Sequence, residues 1–145
     1  MRHLGANTCS HVQVLGHVSR VIDDLHATGY VHRDLKPGNI IWEPRGSIWV
    51  LIDFRLVADI GAAAVVGFTP TYAAPEAAQR YKDNARKMTV GTELDAWSLG
   101  VVALELMLGK PPFGKGATFL EVCVPRPSRH AAMLLLAFCK LHVIA

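Results

Sequence analysis

The 145-residue chain lacks most of the features that would take it out of the ordinary globular class. Its cysteines, Cys9, Cys123 and Cys139, are three in number and far apart. That excludes a disulfide framework or a closely spaced zinc site, and a reducing compartment, the cytoplasm, is the expected location. Neither sign of charge is in large excess: 15 Lys and Arg stand against 12 Asp and Glu. The basic residues are scattered rather than in blocks, which gives no case for nucleic acid as a partner. Residues 1–11 lack the apolar stretch of a signal peptide. The longest apolar run, 131–139, falls short of the roughly 20 residues needed to cross a bilayer, so no membrane partner is expected. Internal repeats and low-complexity tracts are absent. What remains is a chain 51% apolar and 19% charged, a balance that builds a core rather than a disordered coil. Its length suits one domain.

Val14, Leu15, Val18, Val21, Ile22 and Leu25 recur at helical spacing and predict an amphipathic helix over 12–27, its stripe facing a core. Gly29 is its natural stop. Ile40-Ile41-Trp42 and Ile48-Trp49-Val50-Leu51-Ile52 flank Glu43-Pro44-Arg45-Gly46-Ser47, two β-prone runs around turn chemistry, and so predict a hairpin. Such a hairpin carries Asn39 out and brings Asp53 back beside it. Residues 56–67 have no strong period and read as a loop. Residues 93–108 are apolar nearly all round and predict a buried central helix, ended by Gly109 and Pro111-Pro112.

Between the first helix and the hairpin lies His32-Arg33-Asp34-Leu35-Lys36-Pro37-Gly38-Asn39. It places a carboxylate, an ammonium and a carboxamide on a stretch broken by Pro and Gly. Such a loop suits phosphoryl transfer, which needs an oriented hydroxyl, positive charge on the moving phosphate and a metal beside it.

The run resembles the catalytic loop H-R-D-L-K-P-x-N of eukaryotic protein kinases. Further features follow in that family's order. Asp53-Phe54-Arg55 resembles the D-F-G metal motif, and Ala74-Pro75-Glu76 resembles A-P-E. Thr69-Pro70-Thr71-Tyr72 looks like the substrate-positioning segment. Asp95-Ala96-Trp97-Ser98-Leu99-Gly100 is similar to D-x-W-S-x-G, and Lys110-Pro111-Pro112-Phe113 to the exit G-x-x-P-F. The resemblance covers about 12–113, and Lys36-Pro37 is similar to the Ser/Thr-directed variant. It implies a mainly α fold with a short β-hairpin, the C-terminal lobe of a partial α+β kinase fold. Residues 1–113 would be a partial kinase domain and 114–145 a divergent tail forming one apolar helix.

The implied function is protein serine/threonine kinase: ATP-dependent phosphoryl transfer to Ser/Thr hydroxyls of a protein substrate, with Mg²⁺. Asp34 would align the substrate hydroxyl, since a carboxylate of ordinary pKa is a weak base at neutral pH. Lys36 would sit near the γ-phosphate as a point charge. Asn39 and Asp53 would hold Mg²⁺, Ile41 would floor the adenine, and Thr69 would contact the catalytic loop. The resemblance makes His32 a structural group packed under Phe54, and gives Asp95 the backbone N–H groups of the loop.

Four departures qualify that expectation. Only 31 residues precede His32, with no G-x-G-x-x-G among them, so the reading has the small lobe absent. Adenine would then lie on Ile41 with its other face in water, and the chain alone would bind ATP weakly and turn over negligibly, unless a separate small lobe or partner chain completes it. Arg55 stands where the family has Gly, restricting backbone angles and placing a cation near Asp53. Arg33 is of the type that commonly pairs with a loop phosphate, yet 56–68 holds no Ser, Thr or Tyr; Asp59 is the acidic candidate to substitute. The partner expected for Glu76 is an arginine, with Arg126 and Arg129 as candidates. The alternative function is a non-catalytic, pseudokinase-like binding or scaffold module. Retention of Asp34, Lys36, Asn39 and Asp53 favours the enzyme, and Arg55 favours the scaffold. A small-molecule phosphotransferase is disfavoured by the peptide-type segment 69–76.

Overall fold

Helix α1, Thr8–Ala27, forms where the apolar stripe predicts it, in a computed structural model that describes residues 8–112. Val14, Val18 and Ile22 are buried, with Leu15, Val21 and Leu25 packed at the edge. Gly29 ends the helix with a φ of 92°, a left-handed conformation that costs glycine nothing because it has no Cβ. The chain turns there into the short strand β1, Tyr30–Val31.

After the 32–39 run come β2, Ile40–Glu43, and β3, Ile48–Leu51. They pair antiparallel with Ile40 opposite Leu51, which is the expected hairpin. Ile52 falls just past β3, but its N–H still donates to Asn39 O at 2.9 Å.

Residues 56–67, expected as a loop, contribute two further strands. β4, Ala58–Asp59, pairs with β1. β5, Ala63–Val65, pairs with β6, Lys87–Thr89. Pieces of two or three residues are too short to show a period, and their partners lie far along the chain. The described residues therefore hold three two-stranded antiparallel sheets rather than one hairpin.

Helix α2, Pro75–Lys82, opens on a proline whose missing N–H is no loss in a first turn. Helix α3, Glu93–Leu108, is buried nearly throughout, as its all-round apolar sequence requires. Met107 and Leu108 emerge at its end, where Gly109, φ 66°, closes it.

The main core joins Val14, Val18 and Ile22 of α1 to Leu99, Val102 and Leu106 of α3 and to Ile40 and Leu51 of the hairpin. Leu35, in the middle of the 32–39 run, is fully buried in this cluster, so the polar residues around it are anchored by an apolar pin. Truncating such a leucine to alanine typically costs about 2–5 kcal/mol. A second cluster, with Val31, Ala74, Ala77, Met88, Val90 and Leu94, lies under the 58–74 segment. No described helix is long and apolar enough to cross a membrane. Phe113 and the tail 114–145, including Arg126 and Arg129, lie outside the described residues.

Candidate functional site

Asp95, on the first turn of α3, is fully buried. Its Oδ2 accepts the backbone N–H of His32 at 2.8 Å, and its Oδ1 that of Arg33 at 2.7 Å. The Nε2 of His26, in the last turn of α1, lies 2.9 Å from Oδ2. Buried amides need acceptors, and this carboxylate supplies two, tying the start of the 32–39 run to both long helices. The sequence does not single out His26; a place in the last turn of a helix carries no signal of a partner 69 positions away.

Between Arg33 and Asp34 the backbone is twisted. Arg33 adopts φ 71°, uncommon for a residue with a side chain. The Asp34 N–H donates to His32 Nδ1 at 3.2 Å, while His32 Nε2 reaches Ile52 O at 3.2 Å. These bonds place the imidazole proton on Nε2. The ring is fully buried and meets Phe54 edge-on at 5.1 Å between centroids, the packing expected of it.

The Asp34 carboxylate then gathers three side chains. Oδ1 accepts the Thr69 hydroxyl at 2.6 Å. Oδ2 accepts Lys36 Nζ at 2.5 Å and Asn39 Nδ2 at 3.2 Å. Lys36 Nζ also donates to Thr69 Oγ1 at 2.9 Å, closing a ring of contacts. Burial pushes the Asp34 carboxyl up, but the hydrogen bonds from Lys36 and Thr69, the Lys36 charge and the Asn39 amide outweigh it, so it sits below the usual carboxylate range. An ionised carboxylate with its lone pairs directed this way is an aligning group rather than a strong base. Asn39 also donates to Asp34 O at 2.8 Å.

The hairpin brings Asp53 back to the end where Asn39 starts. Asp53 is left-handed, φ 68° and ψ 70°, at the head of the 3-10 turn Phe54–Leu56. Arg55 lies inside that turn and needs no positive φ, so the missing glycine costs no backbone strain here. The arginine acts through its side chain instead. Nε donates to Asp53 Oδ1 and Nη2 to Oδ2, both at 2.6 Å. These bonds bring the Asp53 carboxyl down to about 2.

Mg²⁺ wants open oxygen ligands in near-octahedral array. Asn39 offers its amide oxygen, since its nitrogen is spent on Asp34. Both carboxylate oxygens of Asp53, however, carry the Arg55 guanidinium. Among the described residues no group of three or more His, Cys, Asp or Glu could hold a metal. As arranged, this donor set does not fit Mg²⁺.

Ile41 is on β2 and 44% exposed, and Phe54 is 50% exposed, so both present apolar surface beside the site. Arg33 is buried, and its guanidinium donates to Leu56 O at 3.0 Å and to Val65 O. It makes no bond to Asp59, an exposed residue whose backbone stands opposite Tyr30 in the β1–β4 pairing. The expected Arg33–Asp59 substitution is thus replaced by two backbone carbonyls, a pairing no side-chain inventory reveals. Glu76, in the first turn of α2, has no cation partner among the described residues; burial first and Glu93 second raise its carboxyl. Tyr72 donates to Glu105 at 2.6 Å and its carbonyl accepts from Ser98 at 2.7 Å. Those bonds fix the segment after Thr69 onto α3.

The family model described as the protein kinase domain matches residues 3–125. Citron rho-interacting kinase of Rattus norvegicus is 40% identical over 102 residues, covering 67% of this chain and 5% of that protein. Serine/threonine-protein kinase mrck-1 of Caenorhabditis elegans is 41% identical over 97 residues, 63% of this chain and 6% of that protein. Myotonin-protein kinase of Homo sapiens is 39% identical over 110 residues, 72% of this chain and 17% of that protein. The chain thus spans a small fraction of the length of these relatives.

Proposed function

Because the chain belongs to the protein kinase family, we propose that its described residues are the C-terminal, catalytic lobe of a serine/threonine kinase domain that transfers phosphate to protein Ser/Thr hydroxyls. The observation that carries the reading is the convergence of Lys36, Asn39 and Thr69 on the single carboxylate of Asp34. A turn aspartate has no physical need of three side-chain donors, one of them 35 positions away.

In this reading ATP is the donor substrate. The substrate hydroxyl oxygen bonds to the γ-phosphorus as the bond from phosphorus to the ADP oxygen breaks. Asp34 accepts and orients the hydroxyl, and its proton passes to Asp34 or to water. Lys36, held between Asp34 and Thr69, places a positive charge on the transferred group. Thr69 ties the peptide-positioning segment to the catalytic loop. Ile41 and Phe54 supply apolar cover near the base and the metal motif. His32 and Asp95 hold the loop from below. Since phosphoryl transfer is mostly positioning and electrostatics, the 145 residues alone, which have no glycine-rich loop before His32, turn over very slowly. In this reading residues 1–113 are the kinase part and 114–145 a divergent tail, although the family match runs on to residue 125. The cysteine usage keeps the cytoplasm as the expected location.

A second reading, a non-catalytic binding module, is favoured by one observation: the closed Asp53–Arg55 pair. The two are separated by joining the chain behind the glycine-rich lobe of a Ser/Thr kinase and incubating it with γ-labelled ATP and a Ser/Thr peptide library. Label on Ser or Thr supports the enzyme. Label no higher than without protein rejects it in favour of the binding module.

A further inference from the structure

Arg55 sits two positions after Asp53 and holds both of its carboxylate oxygens, yet the arginine side chain is 83% exposed. A guanidinium has five N–H donors in a planar fork. Two are used on Asp53, which leaves three facing other partners. Lys36 has three donors, of which two are used on Asp34 and Thr69. The charge of Lys36 reaches Asp53, and that of Asp34 reaches Arg55. The Asp34–Lys36 and Asp53–Arg55 pairs thus feel each other's charge, and both cations have donor capacity to spare.

We propose that the Arg55 guanidinium is the resident cation of this site, and that it bridges the Asp53 carboxylate to a nucleotide polyphosphate with no requirement for a divalent ion. The inference rests on the nucleotide-binding part of the proposed function. A divalent ion in such a site joins a carboxylate to phosphate oxygens. Arg55 can make the same join, because its planar fork matches both partners. For a metal to enter, Arg55 must leave Asp53. An exposed ion pair is weak in itself, but this one is tethered two residues away and closes again without a diffusional encounter. The carboxylate is thus covered again quickly after each opening, and a metal must compete with Arg55 for it. Arg55 keeps two N–H groups on Asp53 and offers the rest to the ligand, so binding requires no rearrangement of the 3-10 turn.

The test uses the 145-residue chain and ATP, read by saturation-transfer NMR, in excess Mg²⁺ and in EDTA, for the native protein and for Arg55→Gln. The variant removes an exposed charge and leaves the fold intact, which circular dichroism checks. The expected result is weak native binding that differs by less than about twofold between the two conditions, while Arg55→Gln loses at least about tenfold in EDTA relative to Mg²⁺. Mn²⁺ paramagnetic resonance gives a readout without nucleotide: the native chain leaves the free Mn²⁺ signal unchanged and Arg55→Gln lowers it. Native ATP binding that requires Mg²⁺, or a variant with the same metal dependence as the native chain, overturns the proposal and leaves the enzymatic reading standing. Metal-independent binding with no phosphoryl transfer behind a glycine-rich lobe upholds the proposal and rejects the enzyme. No ATP binding in either condition overturns the proposal, while the enzymatic reading is decided by transfer behind a glycine-rich lobe.

Discussion

The hydroxyl of Thr69 donates to Oδ1 of Asp34 at 2.6 Å, across 35 positions of sequence. The same hydroxyl oxygen accepts Lys36 Nζ at 2.9 Å. One threonine therefore joins the residue that would orient the attacking hydroxyl to the one that would face the phosphate. It also fixes the segment leading into α2 to the loop that follows β1.

Replacing Thr69 by valine keeps the shape and removes both bonds. Hydrogen bonds to charged partners contribute about 1.5–3 kcal/mol. Thr69→Val is expected to lose stability by about that amount in urea unfolding, whereas Thr69→Ser stays within about 0.5 kcal/mol of the native chain. Equal losses for the two variants would mean that the methyl group, not the hydroxyl, is what matters at this position.

Arg33 staples the 56–67 segment through the carbonyls of Leu56 and Val65. Lysine keeps the charge but cannot span two carbonyls with a planar fork. Arg33→Lys is expected to speed amide hydrogen exchange in 56–67 by about tenfold or more, with exchange in the buried part of α3 little changed. Asp59→Asn is expected to leave exchange in that segment as it is. Acceleration in Asp59→Asn would reinstate the acidic partner that the sequence suggested.

Glu76 gives a dependence on pH. Burial and Glu93 raise its carboxyl above the ordinary value of 4.5. A carboxyl raised on folding holds its proton more tightly in the folded chain. Its stabilising contribution is complete below the ordinary value and is lost as pH rises through the raised one. Glu76→Gln cannot ionise, so it is expected to melt a few degrees above the native chain near neutral pH, with the gap closing as pH falls toward 4.5. Thermal unfolding of both proteins across that range checks it. A Glu76→Gln protein that melts below the native chain near neutral pH, with the deficit closing in acid, would show that Glu76 is paired with a cation in the folded chain.

The sequence made the scaffold of the site legible because its signals are local. The stripe from Val14 to Leu25 predicts α1, Gly29 its end, and the apolar surround of 93–108 predicts α3. Turn chemistry at 43–47 predicts the hairpin, and with it the meeting of Asn39 and Asp53. The resemblance supplied Asp95 as acceptor for the loop amides and the contact of Thr69 with the catalytic loop. What stayed hidden depends on partners far along the chain. β4 and β5 are too short for a period, and their partners are β1 and β6. The carbonyls that hold Arg33 belong to backbone, which carries no residue-type signal. Arg55 was legible as a cation near Asp53, but not as a fork closing both oxygens, since that needs the 3-10 geometry of Phe54–Leu56. His26 gave no hint of its contact with Asp95.

The central claim is that Asp34 orients a hydroxyl for phosphoryl transfer, and the most direct measurement is the transfer rate of Asp34→Asn against the native chain, each joined behind a glycine-rich kinase lobe and supplied with saturating ATP and a Ser/Thr peptide. Asparagine keeps the size and one acceptor but loses the charge that Lys36 and Thr69 bind. The rate is predicted to fall by about 10²–10⁴-fold while peptide and ATP affinities change little. An Asp34→Asn protein that transfers phosphate as fast as the native one would contradict the account.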